Sequence, residues 1–252
     1  MSFFALSDLH IRGSDDPLYE SLLKVIRDRA QGGDTLVLAG DIFDFFVGDK
    51  PVFVAQYSRF FAELGAASQR GVKIHYIEGN HDFLMKRAFA GIPTIEVHSH
   101  HVTAELDGKR FYVAHGDTVE RADYGYRALR MFLRSPIIRA FVKFFPGSLV
   151  NWIGETGSRR SRQSQDKRPK VAHLYPCDRF ERIRKVFRSF AAERLTEGFD
   201  FVVLGHCHDL DEMRFQIGGR AGQYVNVGYP RIHGSFLSWE RDDEQIRREA
   251  LP

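Results

Sequence analysis

Cysteine is nearly missing from this chain, which has only Cys177 and Cys207 among its 252 residues. Two thiols build no disulfide framework, so a small secreted disulfide scaffold is excluded. Cys207, inside a histidine-rich motif, reads as a bystander. No run of about 18 apolar residues occurs, so no membrane-spanning helix is expected. A basic region followed by a short apolar segment and a small-residue cleavage site is also missing. The chain enters a strand-like run, Phe3 to Leu6, almost at once. No secretory signal is therefore expected, and the cytoplasm is the expected compartment. Internal repeats and low-complexity segments are lacking too. What the chain does carry is 43% hydrophobic and 27% charged residues, enough for a buried core in a soluble protein. Its length suits one large domain, or one domain with an insertion.

The formal net charge of +3 hides an asymmetry. Residues 121–170 hold 12 Lys/Arg against 3 Asp/Glu, a local charge of +9, which leaves −6 for the remainder. A segment of that sign calls for an anionic partner: nucleic acid, an acidic membrane surface or a phosphorylated substrate.

Short apolar runs alternate with helical patterns in the first third. Phe3–Leu6, Thr35–Ala39 and Lys73–Ile77 predict buried strands, while Pro17–Ala30 and Pro51–Ala67 predict helices opening on proline. That is a βαβαβ order, which implies parallel strands with right-handed crossovers. Thr94–Val97, Val102–Leu106 and Arg110–Ala114 follow as closely spaced strands, the last two joined by the hairpin signal Asp107-Gly108. Phe201–Leu204, Met213–Ile217, Gln223–Val227 and Ser235–Trp239 close the chain. Between these blocks lie helical segments within 121–176 and a long helix around 178–196. The fold class expected is α/β, with two packed mixed sheets flanked by helices. A helical insertion spans 121–176, and the core comprises 1–120 and 177–252.

Five polar clusters stand at the ends of expected strands: Asp8-Leu9-His10, Gly40-Asp41, Gly79-Asn80-His81-Asp82, His115-Gly116-Asp117 and Gly205-His206-Cys207-His208. One such cluster alone is ordinary turn chemistry or a helix cap. Five in succession place oxygen and nitrogen ligands in one layer above the strand ends, where α/β sheets collect their ligand sites. His98, His100 and His101 lie close together in sequence but read as a solvated loop. His75, on an alternating strand, reads as structural.

The order D-x-H, G-D, G-N-H-D, H-G-D, G-H-x-H resembles the calcineurin-like metallophosphoesterase superfamily over nearly the whole chain. The resemblance implies a four-layer αββα fold and two divalent metal ions. One ion would take Asp8, His10, Asp41 and His208; the other would take Asp41, Asn80, His115 and His206, with Asp41 as the bridge. Imidazole with hard oxygen donors suits Mn²⁺ first, with Fe or Zn²⁺ as alternatives, better than Mg²⁺ or Ca²⁺. Two such ions, roughly 3.5–4 Å apart, activate a shared water and clamp phosphoryl oxygens. His81 would face the leaving oxygen as the catalytic acid or charge stabiliser, with Asp82 orienting it.

Longer stretches, residues 40–49, 79–84 and 115–118 with Asp123, Tyr126 and Arg130 behind them, resemble the UDP-2,3-diacylglucosamine pyrophosphatases of the lipid A pathway. These hydrolyse a nucleotide-linked glycolipid to UMP and the acylated sugar 1-phosphate, and their helical cap holds the acyl chains. By that resemblance Phe46, Asp123, Tyr126, Ser161, Gln165 and Arg168 contact the substrate. The insertion mixes Phe132, Leu133, Ile137, Ile138 and Phe141 with Arg130, Arg134, Arg139 and Lys143. That texture suits an acyl chamber or the anionic face of an inner membrane, or equally an ordinary amphipathic cap packed on the core with a solvated basic face, and it disfavours a polar groove tracking nucleic acid. No protein partner is implied. These pyrophosphatases commonly carry Arg where this chain has His81. A departing phosphate monoester, with a second pKa of about 6, needs no strong proton donor. A histidine would serve an alkoxide leaving group better, so a broader nucleotide phosphoesterase, or a nuclease, is the alternative reading.

Overall fold

The computed structural model describes residues 1–150, 152–154, 156 and 178–252. Two β-sheets pack face to face, and simple alternation along their strands decides which side chains go where. In β1 (Ser2–Leu6), Phe3 and Ala5 point between the sheets, while Phe4 and Leu6 point outward under helices. β2 (Thr35–Leu38) and β4 (Lys73–Ile77) repeat the pattern, sending Val37 and Ile77 inward and Leu36, Leu38, Ile74 and Tyr76 outward. With period-2 strands apolar on both faces, each sheet must be covered on both.

The first sheet has the order β13-β12-β1-β2-β4-β6, with β1, β2, β4 and β6 (Ile95–His98) parallel. β12 (Ser235–Glu240) runs antiparallel beside β1, and β13 (Arg247–Ala250) borders it. The second sheet has the order β10-β11-β9-β8-β7. It is built from β7 (His101–Leu106), β8 (Lys109–Ala114), β9 (Phe201–Leu204), β10 (Glu212–Ile217) and β11 (Arg220–Asn226). Phe111, Val113, Phe201, Val203, Val225, Leu237 and Trp239 meet between the sheets. Each such fully buried aliphatic or phenyl side chain contributes about 1.5–3 kcal/mol. Helices α1 (Pro17–Lys24) and α3 (Ser58–Gln69) cover the first sheet, and α6 (Asp178–Thr196) covers the second. The layers are therefore helix, sheet, sheet, helix.

Three local differences from expectation have physical causes. The first helix ends at Lys24 and continues as a π-type turn, Val25–Arg29, which keeps the adjacent Val25 and Ile26 both buried. The second helical run breaks at Tyr57 into α2 (Pro51–Gln56) and α3, because Tyr57 turns inward against Tyr19, Phe43 and Phe46. β13 has no alternation to betray it. It is a charged edge strand held by the Glu249 carboxylate on Arg29 and by Arg248 near Glu212.

Two-residue strands β3 (Phe46–Val47) and β5 (Asp82–Phe83) pair in parallel, drawing the loops after β2 and β4 together. Between β8 and α6 the chain carries α4 (Tyr124–Leu133), capped by Asp123, and α5 (Pro136–Phe144), capped by Ser135. A last short helix, α7 (Pro230–His233), precedes β12.

Candidate metal centre

The polar clusters leave the carboxyl ends of β1, β2, β4, β8 and β9, and the loops are stitched to one another by backbone bonds. Asp8 N donates to Gly40 O at 3.1 Å, His10 N to Asp41 O at 3.0 Å, and Gly205 N to His115 O at 2.9 Å. Asp8, His10, Asp41, His206 and His208 all have positive φ, between 46° and 69°, and only Leu84 and Asp107 join them among described non-glycine residues. Left-handed backbone at such positions costs of order 1–3 kcal/mol each and persists where surroundings enforce it. Two glycines explain part of the enforcement. A Cβ on Gly79 would stand 2.1 Å from Asp41 Oδ1, and one on Gly205 would stand 2.3 Å from Ser7 Oγ.

Two groups of donors converge. Asp8, His10 and His208 form one, with Asp8 Oδ1 3.3 Å from His208 Nε2 and His10 Nε2 3.2 Å from His208 Nε2. Asp41, His115 and His206 form the other, with Asn80 Oδ1 3.3 Å and His206 Nδ1 3.3 Å from His115 Nε2. Asp41 lies between them. Its Oδ1 accepts from the Asn80 and His81 amides at 2.9 Å each, and its Oδ2 faces His115 Nε2 at 3.4 Å and His10 Nε2 at 3.9 Å.

This donor set fits divalent cations. Asp8 Oδ1 is fully buried with no hydrogen-bond donor in good geometry, an orphan that a cation would satisfy. Burial works against the Asp8 charge, but His208 and His115 outweigh it and hold the carboxyl at about 2; Asp41 is likewise held well below its usual range, chiefly by His115. Burial lowers His206 to about 4 and His10 well below its usual value, so both imidazoles are neutral with lone pairs available. His115 donates Nδ1–H to Ala39 O at 3.0 Å, which turns Nε2 into the centre. Burial depresses His115 as well, yet Asp41, Asp8 and Asp117 raise it to about 10. The same negative field attracts a metal ion, whose binding requires the neutral imidazole.

His81 stands beside the first group, its ring centroid 4.9 Å from that of His10. Its Nδ1 lies 2.7 Å from the backbone carbonyl of Asp44, which orients it. Asp82 does not perform that role. Its carboxylate turns the other way, accepting from the amides of Asp41 at 3.0 Å, Ile42 at 2.7 Å and Gly79 at 2.8 Å, and from Tyr76 Oη at 2.6 Å. Burial, then the nearby Asp41 charge, raises the Asp82 carboxyl to about 7. Adjacency in sequence misled here, because His81, just before β5, and Asp82, its first residue, turn to opposite sides of the chain.

The same alternation corrects Phe46. It is completely buried, packed on Phe43, Phe53, Tyr57 and Phe61, whereas its neighbour Phe45 lines a chamber beside the centre. Asp123 is exposed and acts as the cap of α4, accepting from Tyr126 N at 2.8 Å. Tyr126 does reach the centre: its ring lies 5.4 Å from that of His206, and its hydroxyl donates to Asp117 Oδ2 at 2.9 Å. Ser161, Gln165 and Arg168 lie outside the described residues. Sequence reasoning assigned no role to Glu78, Asp117 or Arg134. Arg130 donates to Asp117 Oδ2 at 2.5 Å and to Ser99 O at 2.7 Å, and Arg134 donates to Gly79 O at 3.2 Å beside Glu78. The signal available in sequence was two arginines one helical turn apart, Arg130 in the last turn of α4 and Arg134 at its C-cap.

The chamber has a volume of about 390 Å³. Asn80 and His81, beside the donors, line it, and Phe45, Phe83, Leu133, Ile138, Phe141 and Val150 make its walls apolar. His98, His100 and His101 do not share a loop. His98 ends β6 against His75, His101 opens β7 stacked on Tyr112, and His100 sits beside Arg130.

A family model described as calcineurin-like phosphoesterase matches residues 1–210. Curated relatives called UDP-2,3-diacylglucosamine hydrolase are similar along most of the chain. The protein of Aeromonas salmonicida (strain A449) is 33% identical over 100% of this chain and 95% of its own. That of Aeromonas hydrophila subsp. hydrophila is 32% identical over 100% of both. That of Pseudomonas fluorescens (strain SBW25) is 27% identical over 88% of this chain and 85% of its own. With a family match over most of its length and clustered donors for divalent metal, the chain belongs to the calcineurin-like phosphoesterases.

Proposed function

We propose that this phosphoesterase hydrolyses the pyrophosphate of UDP-2,3-diacylglucosamine, releasing UMP and 2,3-diacylglucosamine 1-phosphate. The observation that carries this reading is the apolar chamber whose lining includes Asn80 and His81 beside the donor cluster. Its volume falls in the range of small-molecule sites, and its phenyl and aliphatic walls suit acyl chains rather than a polar sugar or a nucleotide base. The names of the curated relatives agree with it.

In this reading Asp8, His10, Asp41 and His208 hold one divalent ion, and Asp41, Asn80, His115 and His206 hold the second, with Mn²⁺ the preferred metal. When bound, such a pair supplies an activated water and neutralises charge on the phosphoryl oxygens. The remaining work falls to the protein. The Asp44 carbonyl accepts Nδ1–H of His81, so that Nε2, when it carries the second proton, faces the leaving phosphate oxygen. Asp82 holds the Asp41 and Asn80 loops together through three amides. Residues 121–150 and 152–154 act as a cap over the chamber, fastened to the core by Arg130 on Asp117 and by Arg134 on Gly79 and Glu78. Those arginines are occupied by the core, which argues against a groove for nucleic acid.

The cap also meets the membrane in this reading. Tyr124, Met131, Ile137, Phe144 and Trp152 are all more than 60% exposed, and Arg127, Arg139 and Lys143 lie among them. Exposed apolar groups beside cations suit an anionic bilayer surface. No described helix is long and apolar enough to cross a membrane. The decisive assay is UMP release from UDP-2,3-diacylglucosamine by Mn²⁺-loaded protein. Turnover that disappears with chelator and in Asp41→Ala is expected. A protein that ignores this lipid yet cleaves simple nucleotide diesters would sink the assignment.

A further inference from the structure

A second set of metal-type donors lies away from the centre, across β4 and its edge neighbour β6. Strand register sets His75 directly opposite Glu96, and His98, two residues further along β6, falls on the same face. His75 Nδ1 lies 3.1 Å from His98 Nε2, and Glu96 Oε2 lies 3.7 Å from the first and 3.6 Å from the second. All three atoms thus lie within 3.7 Å of one another. A tetrahedral Zn²⁺ with bonds of about 2.0–2.1 Å sets edges of roughly 3.3 Å between its ligands, which is the size of this triangle.

We propose that His75 Nδ1, Glu96 Oε2 and His98 Nε2 form an accessory site for one Zn²⁺ ion, distinct from the centre at the strand ends. Two neutral imidazoles and a carboxylate are a zinc ligand set, with a fourth position open to water. Burial keeps both histidines below their usual pKa, so their lone pairs are available near neutrality. The Glu96 side chain is 69% exposed, which gives a hydrated ion a way in. The ordinary alternative is a histidine–histidine hydrogen bond with a carboxylate nearby by chance. That arrangement satisfies one nitrogen of each ring and gives no reason for the carboxylate to sit equally far from both. An ion there would clasp the edge strand to its neighbour. It would also steady the adjoining Ser99, whose carbonyl receives Arg130 from α4.

The test uses the full chain saturated with Mn²⁺ and titrated with Zn²⁺ by calorimetry, beside Glu96→Gln and His98→Ala. The parent protein is expected to take up one Zn²⁺ more than either variant, or to bind it at least about tenfold more tightly, since even outer-sphere losses cost that much. Exchange of Zn²⁺ into the catalytic centre is common to all three proteins and cancels. Added Zn²⁺ should raise the melting temperature of the parent more than that of the variants, with Mn²⁺-dependent turnover unchanged by either substitution. Zn²⁺ uptake of unaltered stoichiometry and affinity in either variant would overturn the proposal. Because Glu96 is largely exposed, Glu96→Gln keeps the test decisive if His98→Ala fails to fold.

Discussion

The imidazole of His81 is fixed by the backbone carbonyl of Asp44, 2.7 Å from Nδ1, and not by the carboxylate of its own neighbour Asp82. A carbonyl keeps no charge and does not titrate. It therefore orients the ring without itself titrating, while Asp82 binds the amides of the neighbouring loops.

The two residues should separate cleanly on mutation. His81→Ala is expected to lower kcat by about 10²–10³-fold, the usual cost of removing a group aimed at developing charge, with metal content and unfolding midpoint unchanged. Steady-state kinetics beside elemental analysis checks this. A loss of only a few-fold would reduce His81 to a packing residue.

Asp82→Ala should act first on stability. It removes the acceptor for three buried amides, each costing about 1–3 kcal/mol when left unpaired, so a loss of at least about 3 kcal/mol is expected in urea unfolding. Turnover should fall as well, because the Asp41 and Asn80 loops lose their common anchor. Had Asp82 acted only by orienting His81, kcat would fall with stability intact.

Phe45 and Phe46 offer a second contrast between neighbours. Phe46→Ala opens a cavity in the aromatic cluster and should cost about 3–5 kcal/mol of stability. Phe45→Ala should cost much less stability but raise KM for the diacyl substrate roughly tenfold, as expected for lost apolar contact in a binding chamber. Equal effects of the two substitutions on KM would contradict the placement of Phe46 outside the chamber.

Acid should reveal the ion pair between Asp16 and Arg231. Burial raises the Asp16 carboxyl, but the hydrogen bond from Arg231 at 2.6 Å and the amides of Arg12 and Leu18 hold it below its ordinary value of 3.8. The folded state therefore binds this proton less readily than the unfolded one. The stabilisation is present above pH 3.8 and is lost as pH falls through the folded-state pKa. Asp16→Asn should flatten the acid limb of a plot of unfolding free energy against pH, without altering its slope above pH 6. Arg231 also donates to His10 O at 3.0 Å, so the pair steadies a ligand loop.

What could be read directly from the residues follows a physical pattern. The seven donors Asp8, His10, Asp41, Asn80, His115, His206 and His208 were visible because each follows an apolar run, and strand ends are where a sheet places its ligands. Phe45 and Phe46 were not separable, because a two-residue strand has too few positions to show which face it buries. Arg134 gives no hint in sequence of Gly79, its partner 55 residues away. The triad of His75, Glu96 and His98 required the register of β4 on β6, which no single-strand pattern contains. β13 escaped notice because its stability comes from charges paired across the sheet rather than from alternation.

The left-handed backbone at Asp8, His10, Asp41, His206 and His208 has an evolutionary corollary. At these five positions glycine would relieve the local strain that the native side chains endure. Variants such as His208→Gly, which strands no buried amide, are thus candidates for proteins that are inactive yet no less robust, and selection for robustness alone would drift toward them. The ligands persist only because activity is selected, so these turns are where this enzyme exchanges durability for chemistry.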